Sequence, residues 1–162
     1  MSETTFQKGH ELEDIIQLVS FKIGNEEFGV DILKVQEINR MMEITTVPNA
    51  PTFVEGVVNL RGRIIPVIDL RTRLGMIKVE HSIKTRIIVV ELVDKTVGFI
   101  VDEVNEVLRI PRSITEPPPE MVAGIDANYL TAVAKLEDRL LILLDLEKIL
   151  DSEEAEQLSE MS

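Results

Sequence analysis

Arg61 and Arg63 stand either side of Gly62 in GVVNLRGRIIPVIDL, Gly56 to Leu70, two cations set in an otherwise apolar, β-branched run. A guanidinium is a planar fork of donors that fits a carboxylate or a carbonyl, so this spacing offers recognition rather than bond-making. Gly62 lets the backbone turn there, which carries both side chains out of a core. Two readings stay open: a hairpin turn with two solubilising arginines, or a recognition turn in which Arg61 grips a partner. The loop holds either two or three residues, and its length sets which residues pair across the hairpin. Val35 and Glu37 pose a related question. In a strand they point the same way, opposite to Gln36 and Ile38. That face is either the core, with Glu37 at its margin, or a binding face with Val35 as an apolar contact.

Tools for catalysis are scarce. His10 and His81 lie in the N-terminal tail and in the connector between two halves, with no carboxylate or nucleophile at a suggestive spacing. With no cysteine and no paired histidines, a transition-metal site lacks its ligands. Asp102-Glu103 with Glu106, and Asp151 with Glu153 and Glu154, lack the spaced oxygens and fixed glycine of a calcium loop, and read as solvated faces. Neither a phosphate-cradling glycine motif nor a GxSxG elbow occurs. The expectation is a non-enzyme without cofactor or metal.

The elements that must position these residues come in two copies. GVDILKVQEI (Gly29–Ile38) aligns with GFIVDEVNEV (Gly98–Val107) at a shift of 69, which also pairs Phe21 with Val90 and Phe28 with Val97. Leu60-Arg61-Gly62-Arg63 aligns with Leu136-Glu137-Asp138-Arg139 at a shift of 76, as does Ile68-Asp69-Leu70 with Leu144-Asp145-Leu146. The change of shift requires seven extra residues, which fit the irregular stretch Pro111–Asn128. Each copy reads mostly as strand with period-two alternation. Pro66 cannot donate to a ladder and predicts an edge strand or a bend. Asp69 and Asp145 fall at helix N-caps, the first helix being brief and ending at Gly75. About five strands per copy predict a mainly β fold of two small closed barrels, about 15–80 and 84–150, sharing a core. An acidic tail over 1–14 and an acidic helix or tail over 151–162 flank them.

Composition agrees. In 162 residues with 44% hydrophobic content, a sizeable core is possible. The net charge of −12 sits mostly in the two ends, leaving the middle near balance. With no basic stripe, no Trp and 4% aromatics, nucleic-acid binding lacks its raw material. The N-terminal MSETTFQKGHELED lacks a signal-peptide pattern, and with no cysteine the expected compartment is the cytoplasm.

EEFGVDILKVQEI (Glu26–Ile38), PNAPTFVEGVVNLRG (Pro48–Gly62), IIPVIDL (Ile64–Leu70), VGFIVDEVNEVL (Val97–Leu108) and LLILLDLEKIL (Leu140–Leu150), in that order, resemble the CheW-type chemotaxis coupling proteins of bacteria. The resemblance covers roughly residues 15–155, and NLRG followed by IIPVIDL is its most specific part. It implies two five-stranded SH3-like barrels and an adaptor. Such an adaptor joins the cytoplasmic helical tip of methyl-accepting chemoreceptors to the histidine kinase CheA, whose regulatory domain shares the fold. It meets the membrane only indirectly, through receptors. The resemblance nominates Val35, Glu37, Gly56, Arg61, Gly98 and Val107 for the receptor-facing surface and assigns no kinase contacts residue by residue. The competing reading is a small-molecule- or peptide-binding β-barrel protein.

Overall fold

The computed structural model describes residues 14–92, 95–122 and 124–150, together with Glu154 and Gln157. The acidic end segments expected over 1–14 and 151–162 therefore lie almost wholly outside the described residues. Alternating apolar residues form strands throughout. The first copy contains β1 (Ile15–Ile23), β2 (Glu26–Asp31), β3 (Val35–Arg40), β4 (Gly56–Leu60) and β5 (Arg63–Asp69), then the single-turn helix α1 (Leu70–Arg73). The second contains β6 (Arg86–Leu92), β7 (Lys95–Val101) and β8 (Glu103–Pro111), then the short strands β9 (Thr115–Glu116), β10 (Met121–Val122) and β11 (Ile125–Asp126). It closes with β12 (Leu130–Lys135), β13 (Leu140–Leu144) and α2 (Leu146–Ile149). Asp69 and Asp145 cap the two helices, accepting from the backbone N–H of Arg71 and Glu147 at 3.0 and 3.1 Å.

Each curled sheet takes strands from both copies. The first runs β3-β6-β7-β5-β4, the second β8-β1-β2-β13-β12 with β9 at its edge. The two barrels are thus not successive halves of the chain divided near residues 80–84. One spans 35–101; the other combines 15–31 with 103–144. Local alternation specifies a strand and its buried face, but not which strand of like pattern lies beside it.

The duplication holds at the level of register. Val67 pairs with Gly98 in parallel, and so do their counterparts Leu143 and Gly29. Glu37 faces Val89 as Glu106 faces Ser20, and the same ladder irregularity sits beside both pairs. Gly56 faces Val67 as Ala132 faces Leu143. The β9 strand and the β10–β11 hairpin fall in the stretch that has to hold the seven extra residues. β5 lies inside its sheet rather than at an edge. Pro66 immediately precedes the first parallel pair, Val67 with Gly98, so its missing N–H leaves no gap in the parallel ladder.

Three clusters fill the interior. Val58, Leu60, Ile65, Val67, Ile87, Val89 and Ile100 form one barrel's core. Leu18, Ala134, Leu141 and Leu143, the counterparts of Ile87, Val58, Ile65 and Val67, belong to the other's. The largest cluster, with Phe21, Phe28, Phe99, Ile68, Leu70 and Ile142, draws on both sheets and welds them together. Asp102, where the chain leaves β7 for β8, fastens the seam. Its carboxylate accepts from the Gly24 N–H at 2.7 Å and pairs with Arg71 of α1.

Candidate functional site

The β4–β5 hairpin closes with Leu60 opposite Arg63, so the turn is the two-residue one. Arg61 has φ +52° and Gly62 φ +87°, both positive, as a type I′ turn requires, and the Asn59 side chain accepts from the Gly62 N–H at 2.9 Å. Glycine or asparagine fits the first of these positions best. An arginine there costs about 1–2 kcal/mol of backbone strain. Arg61 therefore occupies a position the turn alone would not assign to it.

Its guanidinium donates to the Glu37 carboxylate on β3, which also accepts from Asn39 at 3.1 Å. Chiefly through the Arg61 hydrogen bond, and then that of Asn39, the Glu37 carboxyl is held below its ordinary value. The Arg61 side chain remains 69% exposed against 28% for Glu37, so much of the donor fork still faces outward. Arg63 donates to Thr96 Oγ1 at 3.0 Å, and its charge adds a lesser pull on the Glu37 carboxyl.

Two further nominated positions, Gly56 and Gly98, lie on one rung of the sheet with Glu37. Glu37, Val89, Gly98, Val67 and Gly56 face each other in succession across β3, β6, β7, β5 and β4. Gly56 and Gly98 are buried and present no side chain. A Cβ on Gly56 would lie 2.4 Å from the Thr45 carbonyl oxygen, and one on Gly98 2.9 Å from Ile87 Cγ2. These glycines let neighbouring chain segments approach behind the Glu37–Arg61 corner. Val35 is half-buried against the shared core, opposite Val90; the register shift between Val35 and Glu37, which faces Val89, breaks the alternation expected to set both on one face. Val107 lies on the other sheet, on β8, and is 54% exposed. The structure thus joins Glu37 to Arg61 directly, sets Gly56 and Gly98 on Glu37's rung, and leaves Val107 on the second barrel.

Sequence reasoning missed a polar network in that second barrel. Arg139, the counterpart of Arg63, donates from Nε to Glu27 at 2.6 Å, and Glu27 also accepts from Ser20. Glu27 is 8% exposed. Burial pushes its carboxyl up, but the hydrogen bonds of Ser20 and Arg139, the Arg139 charge and Asn105 together hold it below its ordinary value. The match of Arg63 to Arg139 was visible. The buried acid was not, because its counterpart in the first barrel is the neutral Thr96. His81 and the acids Asp102, Glu103 and Glu106 gather no metal-binding group, and none of three or more ligands exists among the described residues.

Twin barrels with filled interiors and a charged, outward-facing turn define a protein-interaction module. A family model described as the CheW-like domain matches residues 17–154. The chain is 43% identical over 138 residues to the chemotaxis protein CheW of Klebsiella aerogenes, covering 85% of this chain and 83% of that one. It is 38% identical over 137 residues to that of Thermotoga maritima, covering 83% and 87%. The crystal structure of the scaffolding protein TtCheW from Thermoanaerobacter tengcongensis superposes with a TM-score of 0.78 at 40% identity, covering 84% of this chain and 92% of that one. This chain belongs to the CheW-like domain family.

Proposed function

We propose that this protein is a chemotaxis adaptor, coupling the cytoplasmic tips of methyl-accepting chemoreceptors to the regulatory domain of CheA. The family match across residues 17–154 carries this reading. The adaptor works without catalysis and in the cytoplasm, where receptor tips and kinase meet. No described helix is long and apolar enough to cross a membrane. Glu37 and Arg61 supply the polar contact to the receptor, and Val35 and Val107 the apolar one. Gly56 and Gly98 give that surface its shape.

Coupling demands more than attachment. A receptor shifts kinase activity only through contacts whose free energy differs between its signalling states, so the adaptor has to hold both partners in a fixed relation. A core shared between the barrels supports this. In an array, many modest contacts add through high effective concentration. Pull-down of the purified chain with a receptor cytoplasmic fragment and with the CheA regulatory domain tests the reading. Capture by both, and restored receptor control of CheA autophosphorylation, is the expected result; capture by neither overturns it.

A further inference from the structure

The duplication gives every position of the receptor-contact surface a counterpart in the other barrel. Val35 corresponds to Val104, Glu37 to Glu106, Gly98 to Gly29, Val107 to Ile38 and Gly56 to Ala132. Each keeps its chemical kind: valine for valine, acid for acid, glycine for glycine, one β-branched aliphatic for another, and the smallest side chain for none. The rung is reproduced as well, with Glu106, Ser20, Gly29, Leu143 and Ala132 facing each other across five strands. Val107 and Ile38 are both exposed. Only one position reverses, and Arg61 becomes Glu137.

The reversal changes geometry as well as charge. Neither Glu137 nor Asp138 has a positive φ, so the second turn is not of the Arg61-Gly62 kind, although Leu136 N–H still bonds to the Arg139 carbonyl at 2.9 Å. Glu137 and Asp138 are exposed. The nearby cation, Arg139, is drawn inward by Glu27 and stands 3.5 Å from Glu106. The first corner, with Glu37, Arg61 and Arg63, sums to one positive charge. The second, with Glu106, Glu137, Asp138 and Arg139, sums to two negative charges.

We propose that the counterpart corner, built on the second barrel and completed by Ile38 of the first, is a latent copy of the receptor-contact site, silenced by Glu137, so that each chain engages one receptor tip rather than two. This rests on the adaptor reading and on Arg61 as its polar contact. The receptor surface that suits the first corner offers a carboxylate or carbonyl to the guanidinium beside an apolar patch. At the second corner it meets the same apolar and backbone surface but a carboxylate in place of the donor fork. Like charge or lone pair against lone pair rejects it there. The twofold likeness of the rungs leaves the turn, through both its charge and its backbone, to tell the corners apart.

Calorimetric titration with a purified chemoreceptor cytoplasmic-tip fragment tests this through site number. The natural chain serves as the unit, Arg61→Ala removes the first corner's donor, and Glu137→Arg with Asp138→Gly rebuilds it on the second barrel. The rebuilt chain is expected to show twice the site number of the natural one, with the new site the weaker. Adding Arg61→Ala to it should return the count to one. Glu137→Arg alone, at an exposed position, is the second variant and should show partial gain. If the rebuilt chain keeps the natural count while Arg61→Ala abolishes binding, the latent site is refuted and the adaptor reading stands. If Arg61→Ala binds as the natural chain does, the reading of the first corner falls, and the inference with it.

Discussion

Replacing Gly56 by alanine tests whether this position belongs to the architecture or to the contact surface itself. The added Cβ would sit 2.4 Å from the Thr45 carbonyl oxygen and 2.7 Å from Ile44 Cγ2, where no carbon fits. Relief requires the 44–45 segment to retreat by about 1 Å, and that segment is held by two backbone bonds. Thr45 N–H donates to the Val57 carbonyl and Val57 N–H to the Thr45 carbonyl, each at 2.9 Å. Losing both costs about 2 kcal/mol net, at about 1 kcal/mol each. Overpacking of a fixed site adds about 1–3 kcal/mol. The sum, about 3–5 kcal/mol, is a large part of the 5–15 kcal/mol that typically holds a domain folded. At roughly 2–4 °C per kcal/mol for a chain of this size, the melting temperature should fall by about 6–20 °C. Gly98→Ala is the control, since its Cβ comes within 3 Å of one side-chain methyl, Ile87 Cγ2, and of no backbone atom, so the fall should be smaller. Circular dichroism melts decide the matter. A Gly56→Ala protein that melts with the natural one yet fails to bind a receptor fragment would refute the steric reasoning.

Arg61→Asn keeps a residue that tolerates positive φ and should leave the melting temperature unchanged or slightly raised while weakening receptor binding; a clear fall in melting temperature would make Arg61 structural. Arg139→Ala strands the buried Glu27 carboxylate and should lower stability more than Arg63→Ala, whose partner Thr96 is neutral; equal effects in thermal melts would count against the network. Because Glu27 is held below its ordinary value, the stability it adds is complete above about pH 4.5 and is lost as pH falls through its lower folded value. Glu37 has the same sign, whereas Asp69, pushed up by burial, imposes a cost that acid relieves. Melts across the acid range should fall steeply below about pH 4.5, and Glu27→Gln should flatten that limb; an unaltered limb would contradict the assignment.

Much of the fold was legible because its signals are local. Period-two alternation located the strands, Asp69 and Asp145 announced the helix caps, and the shifts of 69 and 76 proved to be the register equivalences. The exchange of strands between copies was not legible, since β1 carries the same pattern whether β8 or β3 lies beside it. Pro66 misled for a related reason: a missing donor matters only where a partner would have accepted, and that depends on where the parallel ladder starts. At the site, Arg61 and Glu37 were named separately, and only the two-residue turn brings their side chains into contact. Gly56 and Gly98 were nominated as surface positions. Their burial reflects the close approach of neighbouring segments, which no single-strand pattern encodes.

The chain passes between the sheets twice, at Ile32–Lys34 and at Asp102, and the first two strands of each copy complete the other copy's barrel. Two beads on a flexible thread would swallow a push applied to either one. Here a tug on one bead draws on covalent threads already woven through its neighbour, so the pair answers as a single lever. Cutting the chain midway between the copies would therefore leave two fragments, each holding strands that belong to both barrels and neither owning a complete one.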